Sequence, residues 1–148
     1  MSTSAELLLS AHLVATVAMV GLIWFVQIVH YPLFARVGPD VFVAYELVHQ
    51  RRTSYVVGPP MAIEGVTALI LLVAAPDGIR PALPIIGLAL LAMIHASTVL
   101  LQVPTHAALA DAHDADNIRR LVRTNWIRTV GWSLRGGLAV AMLVQAVP

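Results

Sequence analysis

Residues 82 to 106 read ALPIIGLALLAMIHASTVLLQVPTH. From Ala82 to Val103 the only ionisable side chain is His95. An unbroken apolar run of about 20 residues is long enough to cross a bilayer core of about 30 Å as a helix. In lipid the backbone must satisfy its own hydrogen bonds, and a continuous rather than alternating apolar run selects a helix over a strand. The run closes on Leu101-Gln102-Val103-Pro104-Thr105-His106, where polar groups gather at its end.

Outward from this stretch the same pattern recurs. Spans are expected at about 8–30, 55–75, 82–103 and 125–147. The chain from 1 to 148 therefore reads as one all-α domain, an antiparallel four-helix bundle integral to a membrane, with amphipathic segments on its cytoplasmic side. Composition agrees: 59% of residues are hydrophobic and only 11% charged, against roughly 25% charged in a soluble domain. Mean hydropathy is +0.83. The first run, from Leu7 to Phe34, is too long for the apolar core of a signal peptide and no basic residue precedes it, so it reads as a retained span.

The same counts exclude several classes. Without cysteine there is no disulfide, thiolate metal site or cysteine nucleophile. A net charge of +1 with no basic stripe argues against a nucleic-acid partner. No glycine-rich phosphate loop is present, and neither Ser97 nor Ser133 has an orienting acid and base at triad spacing.

Ala75-Pro76-Asp77-Gly78-Ile79-Arg80-Pro81 is a short turn rich in breakers, so spans two and three form a hairpin. The opposite connections are longer. Asp40 is an expected N-cap for an amphipathic helix from Val41 to Ser54 with Val41, Ala44, Leu47 and Val48 on one side, and Gly58-Pro59-Pro60 should kink its passage into span two. Asp114 or Asp116 should cap a helix that carries Arg119, Arg120 and Arg123 straight into span four. The two halves look alike, each with a proline and a histidine closing a span, which fits either a distant repeat or two ordinary helical hairpins. The arginines Arg36, Arg51, Arg52, Arg119, Arg120 and Arg123 all fall on one face. By the positive-inside rule that face is cytoplasmic, the chain is a multi-pass cell-membrane protein, and both termini are extracytoplasmic.

Ionisable residues inside a membrane are functional candidates by default. Glu64, His95 and Arg135 are expected at one depth, about 12–15 Å from the cytoplasmic surface at 1.5 Å per residue. A second layer near that surface collects Gln27, His30, Gln102, His106, Asn125 and Arg128. His95, Thr98 and Gln102 share one helical face, as do Asn125, Arg128, Trp132 and Arg135. Glu64 and Arg135 read equally as a structural ion pair or as part of a site. Trp24 and Trp126 fit an interfacial belt, whereas Trp132 should line the interior.

Any metal would have to use imidazole, carboxylate or amide ligands, which suits a single iron, copper or zinc ion. His30, His95 and His106 with a carboxylate would form a mononuclear site. A bis-histidine haem between spans one and three, or no cofactor at all, are the alternatives. Glu46-Leu47-Val48-His49 has the Glu-x-x-His spacing of di-iron bundles, but the chain holds only one such pair where two are needed.

Val103-Pro104-Thr105-His106-Ala107-Ala108-Leu109, followed by Arg123-Thr124-Asn125-Trp126-Ile127-Arg128-Thr129, resembles the C-terminal half of the anthrone-oxygenase-like family of small four-helix membrane proteins. The likeness covers about 50 residues. Val103, Pro104, Asn125 and Arg128 match the family pattern, while His106 stands where the family usually has asparagine and Leu121 where it has tryptophan. The resemblance implies an oxygenase that converts aromatic anthrones to quinones with molecular oxygen.

On these grounds the expected function is a membrane oxidoreductase, a monooxygenase in type, acting on a small hydrophobic aromatic or quinone-like molecule. His106 or His95 would be base or metal ligand. Gln102, Asn125 and Arg128 would hold a substrate oxygen, with Trp132 and Arg135 lining the site, and Glu64 would relay protons. The alternative is a non-enzymatic subunit that binds or carries a metal ion, proton or ligand along Glu64, His95 and Arg135. Gly131, Gly136, Gly137 and Ala139 would then allow close helix contact, within the bundle or in a homodimer.

Overall fold

The computed structural model describes residues 2–146, and among them there is no strand. Four helices follow in order: α1 (Thr3–Phe34), α2 (Pro39–Val73), α3 (Ala82–Asp111) and α4 (Ala115–Ala146). Val147, the last residue expected in the fourth span, lies outside the described residues. The first three helices are long and apolar enough to cross a membrane. α4 is of similar length but falls short by composition, because Asn125, Arg128, Ser133 and Arg135 interrupt it. Three helices rather than four therefore meet the expectation for spans.

Several boundaries differ from those read in the sequence. No separate amphipathic helix precedes span two; α2 runs unbroken through Gly58, Pro59 and Pro60. At 35 residues and 1.5 Å per residue it is about 50 Å long, so it outreaches any single membrane crossing. Asp40 is not its cap. Gly38 holds the cap position and Pro39 the first helical one, where a fixed φ is suitable and no amide is needed; Asp40 falls in the first turn instead. Ahead of α4, Asp114 is the capping aspartate, its carboxylate accepting from the amides of Asp116 and Asn117.

The turn between α2 and α3 depends on Gly78, whose φ of 90° an L side chain rarely adopts. A Cβ there would also lie 2.8 Å from the carbonyl oxygen of Gln145, and the Gln145 side chain accepts from the Arg80 amide.

Each helix packs on its chain neighbour and α1 closes on α4. Between α1 and α2, hydrogen bonds join His12 to Thr67, Thr16 to Glu64 and His30 to His49, so numbering rises on one helix as it falls on the other. α3 and α4 pair likewise: Arg135 bonds the Gly87 carbonyl and Gln102 bonds Thr124. Gly131 permits the close approach, since a Cβ there would stand 2.7 Å from Ile94.

The interior alternates apolar and polar layers. Leu9, Leu71, Ile79 and Met142 cluster near the α2–α3 turn, Met19, Ile23, Ile94 and Trp132 in the middle, and Tyr31, Phe34, Phe42, Leu109, Ile118 and Leu121 at the far end. Buried Glu64 and Arg135 lie between the first two clusters, and buried Gln27, Asn125 and Arg128 between the last two. The outer face is also apolar: Val14, Tyr55, Val73, Val99 and Leu100 are each more than 60% exposed. The outward side of α2 includes Val41, Leu47 and Val48, whereas Phe42 and Glu46 are buried.

In α1 and α3 one turn is wound wider than the rest. Val26–His30 and Thr98–Gln102 are π-helical, with the Tyr31 amide bonding the Val26 carbonyl and the Val103 amide bonding that of Thr98. Each wide turn ends two residues before a proline, Pro32 or Pro104. Proline has no amide to donate and its ring crowds the carbonyl four residues back; widening the turn relieves that crowding. The wide turn and its proline recur at the same spacing in both halves of the chain.

Candidate functional site

Around the far polar layer, α1, α2 and α3 each deliver imidazoles or carboxylates. Glu46 and His49 come from the inward face of α2, His30 and Tyr31 from the end of the wide turn of α1, and His106 from α3 just beyond its own wide turn. His106 Nδ1 lies 2.5 Å from Glu46 Oε1 and its Nε2 lies 2.9 Å from the Tyr31 hydroxyl. Arg128 donates to that hydroxyl at 3.0 Å. A continuous chain therefore runs Arg128, Tyr31, His106, Glu46. Gln50 donates to both Glu46 Oε1 and the His106 carbonyl, tying α2 to α3.

Beside this chain, His30 Nε2 is 2.8 Å from His49 Nδ1, and Thr53 Oγ1 is 3.0 Å from the same nitrogen. The His49 and His106 rings are 5.4 Å apart. Phe34, fully buried, sets its ring edge-on against both His30 and His49. One ligand-type atom from each of Glu46, His49 and His106 lies within 4.8 Å of the other two.

Three cavities meet here. One of about 400 Å³ lies between α1 and α2, with His30, Tyr45 and Val48 in its walls. One of about 220 Å³ lies between α2 and α3, with Gln102 and His106 in its walls. An inner one of about 100 Å³ reaches Trp132. His49, Thr53 and Val57 line all three, so the cavities adjoin one another along the middle of α2.

The residues singled out in the sequence divide between the two polar layers. His30, Glu46, His49, His106 and Arg128 gather at this site. Asn125 supports it from behind: its Oδ1 accepts from Arg128 Nε at 2.8 Å and its Nδ2 donates to Gln27. Gln102 is engaged elsewhere, accepting from Ser97 and donating to Thr124. Glu64, Trp132 and Arg135 form the other layer. Glu64 Oε1 accepts from Thr16 and from Arg135 Nε, and Oε2 accepts from the Trp132 indole. His95 is half-buried, faces the charges of Glu64 and Arg135, and its imidazole makes no hydrogen bond among the described residues. The wide turn after it accounts for this: between 98 and 102 the helix no longer advances 3.6 residues per turn, so His95 and Gln102 lose the common face that regular spacing gives them.

Sequence reading missed Tyr31, Gln50 and Thr53. Tyr31 had a signal in its place at the end of a span, four residues after Gln27, with which it shares a buried face. The other two had none, because the apolar stripe Val41, Ala44, Leu47 and Val48 faces outward and Gln50 and Thr53 lie on the side turned inward.

Compared with protein-family models, curated proteins and solved structures, the chain matches none.

Proposed function

We propose that the chain is a multi-pass membrane oxidoreductase, oxygenase-like in type, acting on a small hydrophobic aromatic or quinone-like molecule. The four helices form an antiparallel bundle in the bilayer, with α4 as the fourth crossing. The exposed arginines at 36, 51, 52, 119, 120 and 123 mark the cytoplasmic side. The outward apolar faces of the helices support insertion, since a soluble monomer rarely exposes so large a contiguous apolar surface.

The observation that carries the reading is the Arg128–Tyr31–His106–Glu46 chain beside adjoining cavities that are apolar between α1 and α2 and polar where Tyr31, His106 and Arg128 line them. Apolar walls with few convergent polar groups are the ordinary make-up of a small-molecule site. A flat aromatic ketone would lie between His49, Thr53 and Val57. Its oxygen would face the Tyr31 hydroxyl and the Arg128 guanidinium, fixed donors where negative charge develops as the substrate enolises. For a diaryl CH₂ group, oxidation breaks two C–H bonds and makes one C=O. Molecular oxygen is reduced by the four electrons released, one oxygen atom entering the product and the other leaving as water. The resemblance of residues 103–109 and 123–129 to anthrone oxygenases suggests this substrate class.

Conduction of a proton or metal ion along Glu64, His95 and Arg135 has less support, because both Glu64 oxygens are already engaged. Oxygen uptake and quinone formation by the purified protein with an anthrone-type substrate test the proposal. Arg128→Ala and His106→Ala should each abolish turnover with the fold intact. Unchanged turnover in both removes the reading.

A further inference from the structure

Glu46 is fully buried, and its Oε2 has no hydrogen-bond partner. The other oxygen of the same carboxylate is crowded, taking both Gln50 Nε2 and His106 Nδ1. An unpaired buried carboxylate oxygen is costly, and this carboxylate stands beside His49 and His106. His49 adds a second unengaged position: its Nδ1 is held by His30 and Thr53, while its Nε2 has no hydrogen bond among the described residues.

We propose that Glu46, His49 and His106 bind one divalent first-row transition metal ion, with iron(II) the best match to the donor set. Their ligand atoms already lie within 4.8 Å of one another. Bonds of about 2.0–2.2 Å to nitrogen and oxygen would draw them inward by a small side-chain movement. Two imidazoles and one carboxylate, with no thiolate available, form the set that leaves coordination positions open on non-haem iron. The cavity of about 220 Å³ that His49 and His106 line gives those positions room. It also brings Tyr31 and Arg128 to the same space, as second partners that would orient His106 from its far nitrogen. His30 stands against His49 in the same capacity. Calcium and magnesium are disfavoured, since they call for oxygen ligands in greater number.

This inference rests on the proposed oxidation for its purpose, since it names the group that would activate oxygen, but its geometry and its test are independent of any substrate. The spacing of Glu46 and His49 is i, i+3 on one helix, so they present one face; His106, sixty residues away, completes the set only in the folded chain.

The experiment is titration of the detergent-purified full chain with cobalt(II), followed by visible absorption, with mass-spectrometric metal counting after iron(II) loading and desalting. One ion per chain is expected, with ligand-field bands that saturate at that ratio. Glu46→Gln, which keeps the shape and a hydrogen-bonding group beside Gln50, should weaken binding by at least about tenfold, and His49→Ala or His106→Ala should abolish it. Circular dichroism and gel-filtration profiles matching the parent protein establish that each variant is folded. His95→Ala should retain the ion. No stoichiometric binding by the parent chain, or binding unchanged in folded Glu46→Gln and His49→Ala, overturns the metal site. An ion lost in His95→Ala and kept in His49→Ala overturns the assignment. Because none of these readouts uses turnover, a bound ion without oxidation refutes the proposed reaction alone, and oxidation without an ion refutes the metal alone.

Discussion

Glu64 Oε1 accepts from Arg135 Nε at 2.8 Å, and neither side chain is more than 2% exposed. The carboxylate also takes Thr16 and the Trp132 indole, and the guanidinium reaches the Gly87 carbonyl. Three of the four helices are joined to α4 or through it by this one pair. Arginine cannot shed its proton in a protein, so at this depth it needs a fixed counter-charge.

Removing one partner should therefore be costly. Glu64→Ala leaves Arg135 buried and uncompensated, at a cost of about 3–5 kcal/mol. Unfolding in detergent should show the loss, while the cobalt(II) spectrum of the folded fraction stays as in the parent chain. A variant as stable as the parent would show that the pair does not hold the bundle.

Asn125 should act through Arg128. Its Oδ1 is the acceptor that holds the guanidinium toward Tyr31, and hydrogen bonds to charged groups contribute about 1.5–3 kcal/mol. Asn125→Leu should destabilise by about that amount. It should also lower kcat with the KM for an aromatic ketone little changed, since the displaced donor acts where charge develops in the transition state. An unchanged kcat would place the role of Asn125 in packing alone.

At Gly131 α4 packs directly against Ile94 and Met93 of α3. Gly131→Val puts methyl groups into filled space, and overpacking of this kind costs about 1–3 kcal/mol. Gly137 has open space around it, so Gly137→Ala should be neutral or slightly stabilising in a helix. The two midpoints of thermal unfolding, compared side by side, check both expectations.

Gly78→Ala meets two obstacles, a positive φ and the Gln145 carbonyl at 2.8 Å. A strained backbone of this type costs about 1–3 kcal/mol. The loss should appear as a lower unfolding midpoint with metal binding unchanged, because the turn is at the opposite end of the bundle from Glu46.

Regular helical stretches made part of this molecule legible in advance. The apolar runs placed α1, α2 and α3, since a long unbroken apolar stretch is read from composition more than from order. The face of α4 carrying Asn125, Arg128, Trp132 and Arg135 was also legible, because that helix keeps regular spacing and all four residues are buried in the structure. An ion pair between Glu64 and Arg135 was one of two readings that depth and charge left open, and the structure joins them.

The site itself depended on tertiary structure. The stripe Val41, Ala44, Leu47 and Val48 faces outward, while Glu46 and His49 turn inward on the same side as Phe42, which brings Glu46 and His49 to the interior where an ordinary amphipathic pattern would expose them. The wide turns at Val26–His30 and Thr98–Gln102 shift every face counted across them, so His95 parts from Gln102. Spacing along the chain determined which residues share a regular helix face. Which faces meet was decided by how four helices close on one another, and Glu46, His49 and His106 come together only through that closure.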